Sequence, residues 1–439
     1  MKNNRYIRRF FFSTLCSLLY FGAMTNAYSE NRIDTQRPDA PALAAYGDYS
    51  VGVRQLDVTN PSQIDILALD ATQPKPDSMP VYNRPLTLEV WYPADKNSKG
   101  DTVLQAFIRD GKKQVALHGK AVRDALPLSA NVPFPLVVIS HGYPGNRFLL
   151  AHLAENIASK GYVVVSIDHT DSTYRTQAAF SSTLVNRPID QLFVVSHIEA
   201  LAKQEKSFLH QLVNVNNTAI VGYSMGGYGA VINAGAGLTE QAITSQLGAP
   251  FDLLARYQSG KVDPRIKTII AFAPWGMNYG MFTLDSIAVP MMLVAGSQDD
   301  VSGYENGVRA IWEGANNVDR TLLTFNNANH NAGAVMPAPK ESFVFDNALG
   351  FNTSTHYIDA VWDNTRMNNI AQHFVTAWLG KYLKSNNDMQ TYLDLIPESN
   401  DGVWAMDKAG NKEATHTYWN GFSPRTAKGL KIEHLHAVE

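Results

Sequence analysis

The sequence predicts an α/β fold in which a doubly wound, mostly parallel sheet carries helices on both faces. Short apolar segments recur along the chain and alternate with longer segments of helical character, the order typical of strand–helix–strand units. The apolar segments are apolar throughout, as expected for parallel strands that are buried on both faces. The chain has 439 residues, of which 45% are hydrophobic, so it can bury a large core.

The elements follow one another in a consistent order. Residues 49–58 and 84–92 alternate apolar and polar side chains, which favours antiparallel strands at the sheet edge. A polar insertion with one weakly helical stretch follows at residues 95–132. Buried strands are predicted at 135–140, 162–167, 218–221, 265–272, 289–295 and 320–325. Helices are predicted at 148–160, 187–212, 302–314 and 357–383, with short helices in an insertion at 238–261.

The N-terminus resembles a secretory signal peptide. Basic residues at positions 2–9 precede an apolar stretch at 10–21, and Thr25-Asn26-Ala27 provides small residues for cleavage after Ala27. The alternative, a membrane anchor, is disfavoured because the apolar stretch is short for a bilayer. The expected organisation is a signal peptide at 1–27, an α/β domain at 28–384 with the 95–132 insertion, and a C-terminal extension at 385–439. We therefore expect a secreted or periplasmic protein.

Composition excludes several kinds of partner. The net charge of −3 gives no electrostatic basis for binding nucleic acid or an anionic membrane surface. The single cysteine, Cys16, lies in the predicted signal peptide, so the mature chain has no disulfide and no cysteine-based metal site. We find no metal-binding constellation, P-loop or dinucleotide-binding glycine pattern, and no cofactor is expected.

Ser224 has the sequence context of a catalytic nucleophile. It stands in Gly222-Tyr223-Ser224-Met225-Gly226, between a β-branched apolar run and a helix rich in small residues. A serine at such a sharp turn has a strained backbone, and the flanking glycines let strand and helix approach closely. The alternative is a glycine-rich helix start with an idle serine.

A serine hydroxyl needs a base, and the base needs an orienting acid. His330 follows the last apolar strand, and Asp299 or Asp300 follows the strand before it. Asp299 is preferred because it lies three residues after Gly296, but Asp300 stays open. Three other histidines compete with His330: His141, His169 and His356. His141 is better explained as part of an oxyanion loop, and His169 as a rim residue.

Two backbone amides are predicted to stabilise an oxyanion. Met225 follows the nucleophile at the helix start, and Tyr143 lies in the Gly-containing loop after the strand at 135–140. The alternative for that loop is a plain strand-to-helix turn. Tyr143 and Trp275 are also predicted to form an aromatic wall for an acyl or aryl group, although ordinary packing explains them nearly as well.

The motifs HGYPGN, GYSMGG, AGSQDD and NANHNAG resemble those of the α/β-hydrolase superfamily. More closely, residues 49–383 resemble predicted dienelactone hydrolases and platelet-activating-factor acetylhydrolase-like esterases, and more distantly cutinase-like polyester hydrolases. The resemblance implies a lightly covered serine esterase with the triad Ser224, Asp299 and His330 and with Tyr143 and Met225 as oxyanion donors. Dienelactone hydrolases proper use a cysteine nucleophile, so Ser224 favours ordinary ester hydrolysis here.

The expected function is therefore hydrolysis of a small or lipid-like carboxylic ester through an acyl-enzyme, with no stable membrane insertion after signal removal. An amidase or acyltransferase on the same triad is the nearest alternative. A catalytically silent hydrolase-fold binding protein is an alternative of another class.

Overall fold

The computed structural model describes residues 30–129, 131–244 and 249–438, and the predicted signal peptide lies outside them. From Asn31 onward the chain forms one compact unit. Its strands are β1 (Asn31–Arg32), β2 (Ser50–Ile64), β3 (Val81–Ala94), β4 (Val103–Phe107), β5 (Gln114–His118), β6 (Val122–Arg123), β7 (Phe134–Ser140), β8 (Val163–Asp168), β9 (Val213–Tyr223), β10 (Gly237–Leu238), β11 (Ile266–Phe272), β12 (Phe282–Thr283), β13 (Met291–Gly296), β14 (Arg320–Phe325), β15 (Phe345–Asp346), β16 (Phe351–Asn352) and β17 (Leu430–Leu435).

The α-helices are α1 (Ala151–Ser159), α2 (Phe180–Lys203), α3 (Met225–Asn233), α4 (Glu240–Thr244), α5 (Ala310–Gly314) and α6 (Asn364–Lys384). Short 3₁₀ helices lie at Ala42–Ala44, Ile66–Ala68, Pro250–Arg256, Met277–Tyr279, Lys340–Ser342, Thr353–His356, Asn387–Tyr392 and Ser399–Asp401, and a π-helical turn spans Tyr304–Arg309. Among the described residues, no helix combines the length and the apolar character needed to cross a bilayer.

A ten-stranded sheet organises the molecule, in the order β17–β14–β13–β11–β9–β7–β8–β3–β2–β6. The six strands from β14 to β8 run parallel to one another. β3 runs antiparallel to β8, β2 antiparallel to β3, and β17 antiparallel to β14. The predicted doubly wound, mostly parallel sheet is therefore confirmed.

Helices cover both faces of this sheet, which explains why its central strands are apolar throughout. On β7, Val137 and Ile139 join the core cluster that contains residues of α1 and α6. Leu136 and Val138 join the opposite cluster, which contains residues of α2, α3 and α5. Because successive side chains of a strand point to opposite faces, every residue of β7 is buried.

The 95–132 insertion differs from its weakly helical prediction, because the structure forms strands there. β4 and β5 make an antiparallel hairpin, and β1 pairs in parallel with β5. On β4, Leu104 and Ala106 are buried while Gln105 between them is exposed. This alternation has a period of two residues, which is the period of a strand rather than of a helix. The hairpin lies outside the main sheet.

The last described residues also contribute to the main sheet. All six residues of β17 pair with β14, from Leu430 beside Phe325 to Leu435 beside Arg320. Glu433 on β17 accepts two hydrogen bonds from the Arg309 guanidinium, at 2.7 and 3.0 Å. The domain boundaries predicted at residues 27, 95, 132 and 384 stay predictions.

Candidate active site

Ser224 occupies the turn between β9 and α3. Its φ of 53° and ψ of −114° are unusual for a residue other than glycine. The turn is held from both sides: Ser224 N–H donates to Phe272 O at 2.9 Å, and its carbonyl accepts from Trp275 N–H at 3.1 Å. The neighbouring strand β11 thus fixes a strained backbone that presents the serine at the carboxyl end of the sheet.

The small residues around Ser224 are required by close backbone approach. A Cβ on Gly226 would lie 1.9 Å from the carbonyl oxygen of Ser140, the last residue of β7. A Cβ on Gly222 would lie 2.2 Å from the carbonyl oxygen of Gly226. Helix α3 therefore starts directly against the ends of β9 and β7, which places the nucleophile turn beside the predicted oxyanion loop.

His330 and Asp299 meet at the ends of β14 and β13. His330 Nδ1 lies 3.0 Å from Asp299 Oδ1 and 3.1 Å from Oδ2. The Asp299 side chain is buried, and its Oδ1 also accepts from the amides of Val301 and Ser302 at 3.0 and 2.9 Å. These backbone donors hold the carboxylate in the orientation that faces the imidazole.

Asp300 stands in a different environment from Asp299. It is exposed, and within the described residues its carboxylate has no hydrogen bond or ion pair. It lines the outer part of the same cavity as His330. The geometry thus favours Asp299 over Asp300 as the partner of His330.

The loop that carries His330 is locked by a neighbour that the sequence did not single out. Asn331 accepts a hydrogen bond from the Tyr223 hydroxyl at 2.9 Å and donates to the carbonyl of Ile358 at 2.9 Å. The Tyr223 ring lies against the His330 ring, with centroids 5.2 Å apart. Tyr223, adjacent to the nucleophile, thereby ties the histidine loop to the nucleophile turn.

The two predicted oxyanion donors lie on either side of this turn. Within the described part of the chain, neither the Tyr143 nor the Met225 amide N–H donates a hydrogen bond to another group. Met225 is the first residue of α3, where amides have no partner in the helix and attract negative charge. A Cβ on Gly142 would lie 3.3 Å from Ser224 Cβ, which brings the loop before Tyr143 close to the serine.

A buried arginine supports the loop that is predicted to supply an oxyanion donor. Arg187 on α2 donates to the carbonyl of His141 at 2.5 Å and to the hydroxyl of Ser172 at 2.6 Å. His141 is fully buried, and its Nδ1 lies 2.6 Å from the carbonyl oxygen of Gly142. Burial and the nearby Arg187 charge hold the pKa of His141 well below its usual range.

His169 was expected at the rim of the site, but the structure buries it completely. Its Nδ1 lies 2.9 Å from Asp190 Oδ2 and its Nε2 lies 2.8 Å from Ser140 Oγ. Asp190 also accepts two hydrogen bonds from Arg84, each at 2.8 Å. The Ser140, His169 and Asp190 series has the hydrogen-bond order of a catalytic triad, but none of the three is exposed. Its place beneath the oxyanion loop indicates a structural role.

The rings of the predicted aromatic wall are in contact with one another through Phe180, but of Tyr143 and Trp275 only Tyr143 lines the cavity. Tyr143 lines the cavity beside Ser224, and its ring packs edge-on against Phe180 at 5.1 Å. Phe180 in turn packs edge-on against Trp275 at 5.0 Å. Trp275 is buried, so it supports the wall from behind Tyr143.

Ser224 and His330 open into one cavity of about 360 Å³. Sequence reasoning missed three of its lining residues, which come from the 95–132 insertion and from the segment after β15: Arg109, Phe351 and Thr355. His356, which the sequence offered as a competitor of His330, lines the same cavity. Burial and the charge of Arg109 lower the pKa of His356 to about 3. Among the described residues, no group of three or more His, Cys, Asp or Glu side chains is arranged to hold a metal ion.

A known family model matches part of the chain. Residues 125–262 match the model of the family described as PETase, PET hydrolase-like. The matched segment is less than half of the chain. It contains Tyr143, Ser224 and Met225 and ends before Asp299 and His330.

Curated relatives with similar sequences are bacterial cutinases. Cutinase est1 of Thermobifida alba is 24% identical over 201 residues, which are 46% of this chain and 54% of that protein. Cutinase 2 of Thermobifida cellulosilytica is 23% identical over 201 residues, which are 46% of this chain and 62% of that protein. The chain thus spans about half the length of the curated relatives it matches.

A solved structure, that of a ferulic acid esterase from Streptomyces cinnamoneus, has a similar fold. It superposes with a TM-score of 0.51 at 17% identity, over 82% of this chain and 94% of that one. The mostly parallel sheet, the Ser224 turn at its centre and this structural similarity show that the chain has the α/β-hydrolase fold.

Proposed function

We propose that this protein is a serine carboxylic-ester hydrolase that works through an acyl-enzyme on Ser224. The observation that carries the proposal is the arrangement at the carboxyl end of the sheet. Ser224 sits on a strained turn and shares a cavity with His330, whose Nδ1 lies 3.0 Å from buried Asp299. The similarity to cutinases and to a PET hydrolase-like family model supports the same reaction class.

In the proposed reaction, His330 Nε2 accepts the Ser224 hydroxyl proton as the oxygen attacks the ester carbonyl. Asp299 holds the proton on Nδ1 and stabilises the imidazolium. His330 then protonates the leaving alcohol, which leaves an acyl group on Ser224. A water molecule, deprotonated by His330, attacks this acyl-enzyme, and the acid departs as Ser224 recovers its proton.

We assign the stabilisation of the negative charge that develops on the carbonyl oxygen to the backbone amides of Met225 and Tyr143. Removal of one such donor in a hydrolase typically slows turnover by about 100-fold to 1,000-fold. Their lack of other partners in the described residues supports this assignment, because such donors are available to a substrate oxygen. Tyr143 would contact the acyl or aryl group of a small or lipid-like ester, and the Phe180 and Trp275 rings behind it would hold the Tyr143 ring in place.

The test is direct. A fluorophosphonate probe should label wild-type protein at Ser224, and Ser224→Ala should lose both labelling and turnover of p-nitrophenyl esters. Thermal unfolding of both proteins would show that the variant folds. Labelling with turnover of amides or transfer to alcohols instead of ester hydrolysis would support an amidase or acyltransferase. A wild-type protein that neither labels nor turns over esters would support a silent binding protein.

We also propose that the protein is exported, with a signal peptide at residues 1–27 and a mature form in the periplasm or medium. The basic, apolar and small-residue order of this segment supports the proposal.

A further inference from the structure

Arg109 places a positive charge in the active-site cavity. It follows strand β4 at the end of the β4–β5 hairpin, so it belongs to the insertion rather than to the sheet that carries Ser224. Even so, it lines the same cavity as Ser224 and His330. The hairpin turn is fixed by hydrogen bonds from Ile108 N–H to Lys113 O at 3.0 Å and from Gly111 N–H to Ile108 O at 2.8 Å.

In the part of the chain that the structure describes, this charge has no partner of opposite sign. Within the described residues, no carboxylate oxygen lies within 4.0 Å of the Arg109 guanidinium. The adjacent Asp110 is engaged elsewhere, since its Oδ1 accepts from the amides of Lys112 and Lys113 at 2.8 and 2.9 Å. By contrast, Arg147 in the neighbouring groove is paired with both Glu89 and Asp168.

The guanidinium is held at the cavity wall. Its central carbon lies 5.5 Å from the centroid of the Phe351 ring, which also lines the cavity. Arg109 is half-buried, so water screens its charge less than that of the exposed Asp300 on the same cavity. Its field acts on the neighbouring His356, whose pKa it helps to lower.

We propose that Arg109 binds a carboxylate on the substrate, so that the preferred esters carry a second, free carboxyl group on their acyl or alcohol part. The planar guanidinium can donate two parallel hydrogen bonds to a carboxylate, which is the geometry that favours arginine over lysine for this task. The cavity of about 360 Å³ has room for a small ester that reaches both Ser224 and Arg109. This inference rests on the proposed esterase function.

The test compares matched neutral and anionic esters. On the acyl side, these are p-nitrophenyl valerate and mono-p-nitrophenyl glutarate; on the alcohol side, the acetate esters of methyl 4-hydroxybenzoate and of 4-hydroxybenzoate. In one of the two pairs, the anionic-to-neutral ratio of kcat/KM should fall about 10-fold to 100-fold in Arg109→Gln, the loss expected for a charge-assisted hydrogen bond. Arg109→Lys should recover part of the ratio, and added salt should lower it in wild type more than in Arg109→Gln.

Arg175→Gln is the matched control. The Arg175 guanidinium also lies over an aromatic ring, at 4.4 Å from the Phe107 centroid, but it lines the neighbouring groove instead of the cavity of Ser224. This variant should keep the wild-type ratio. An unchanged ratio in Arg109→Gln, or an equal fall in Arg175→Gln, would overturn the inference.

A binding measurement separates this inference from the proposed function. Two uncleaved amide analogues, glutaric acid mono-4-nitroanilide for the acyl side and 4-acetamidobenzoate for the alcohol side, are titrated calorimetrically. At least one of them should bind wild type about 10-fold to 100-fold more tightly than Arg109→Gln. Equal affinity of both proteins for both analogues would overturn the carboxylate site even if neutral esters are hydrolysed. Loss of all ester turnover with a preserved affinity difference would overturn only the esterase function.

Discussion

Replacing Asp299 by Asn tests how the carboxylate controls His330. Asp299 Oδ1 accepts two backbone amides, from Val301 and Ser302, and His330 Nδ1 lies 3.0 Å from Oδ1 and 3.1 Å from Oδ2. In Asp299→Asn the carbonyl oxygen should keep the two amides, so the new NH₂ group takes the Oδ2 position. Because Oδ1 already accepts two hydrogen bonds, we expect the new N–H donor to be the group that bonds Nδ1, which places the His330 proton on Nε2. Such a histidine cannot accept the Ser224 proton.

The expected loss is therefore large although the geometry stays intact. A wrong tautomer typically lowers kcat about 10,000-fold, or about 5.5 kcal/mol of transition-state stabilisation. Asp300→Asn is the matched control, because Asp300 is exposed and its carboxylate has no partner in the described residues. On a neutral p-nitrophenyl ester it should change kcat/KM by less than about fivefold. Thermal melts would show that both variants fold.

Two results would refute this reasoning. If Asp300→Asn lost more activity than Asp299→Asn, the acid of the triad would be misassigned. If Asp299→Asn kept more than about a tenth of the wild-type kcat, the carboxylate would not set the tautomer. In that case the contact at 3.0 Å would be a structural ion pair without a part in proton transfer.

Two further predictions concern stability and processing. His152 on α1 is buried, neither of its ring nitrogens has a hydrogen-bond partner among the described residues, and burial lowers its pKa from 6.5 to about 3. As the pH falls, His152 is therefore protonated in the unfolded chain at a higher pH than in the folded protein. Its contribution to the free energy of unfolding is fully present above pH 6.5 and is lost as the pH drops towards 3, by up to about 5 kcal/mol. His152→Leu should flatten this fall in urea unfolding between pH 7 and 4, and parallel curves for both proteins would contradict the assignment. For the proposed signal peptide, mass spectrometry of exported protein should find a mature N-terminus at Tyr28, whereas an intact N-terminus in the membrane fraction would favour an anchor.

The sheet, and the positions of the candidate site residues at its carboxyl end, could be predicted because local patterns encode them. Buried parallel strands are continuous apolar runs, and the chemistry of this fold lies directly after such runs. Ser224, Asp299 and His330 each follow one, so their order along the chain was informative. The choice of Asp299 over Asp300 was harder, since it depends on which side chain turns inward.

What the sequence could not predict depends on distant segments meeting. Arg109 reaches the cavity only because the hairpin of the insertion folds over the edge of the site. Tyr223 and Asn331 find each other across two loops. His169 looked like a rim residue because it follows a strand, but Asp190 and Ser140 lie within hydrogen-bond distance of its two ring nitrogens, which makes its burial tolerable. No local pattern reports such partners.

The strand β17 has a consequence for self-association. Without β17, β14 would be the edge strand of the parallel sheet. Its unpaired backbone N–H and C=O groups could then form hydrogen bonds with the β14 edge of another molecule. In this fold β17 of the same chain pairs with those backbone groups. The new edge is six residues long and carries Lys431 and Glu433, whose side chains lie 3.3 Å apart. Short, charged edges of this kind discourage pairing between molecules.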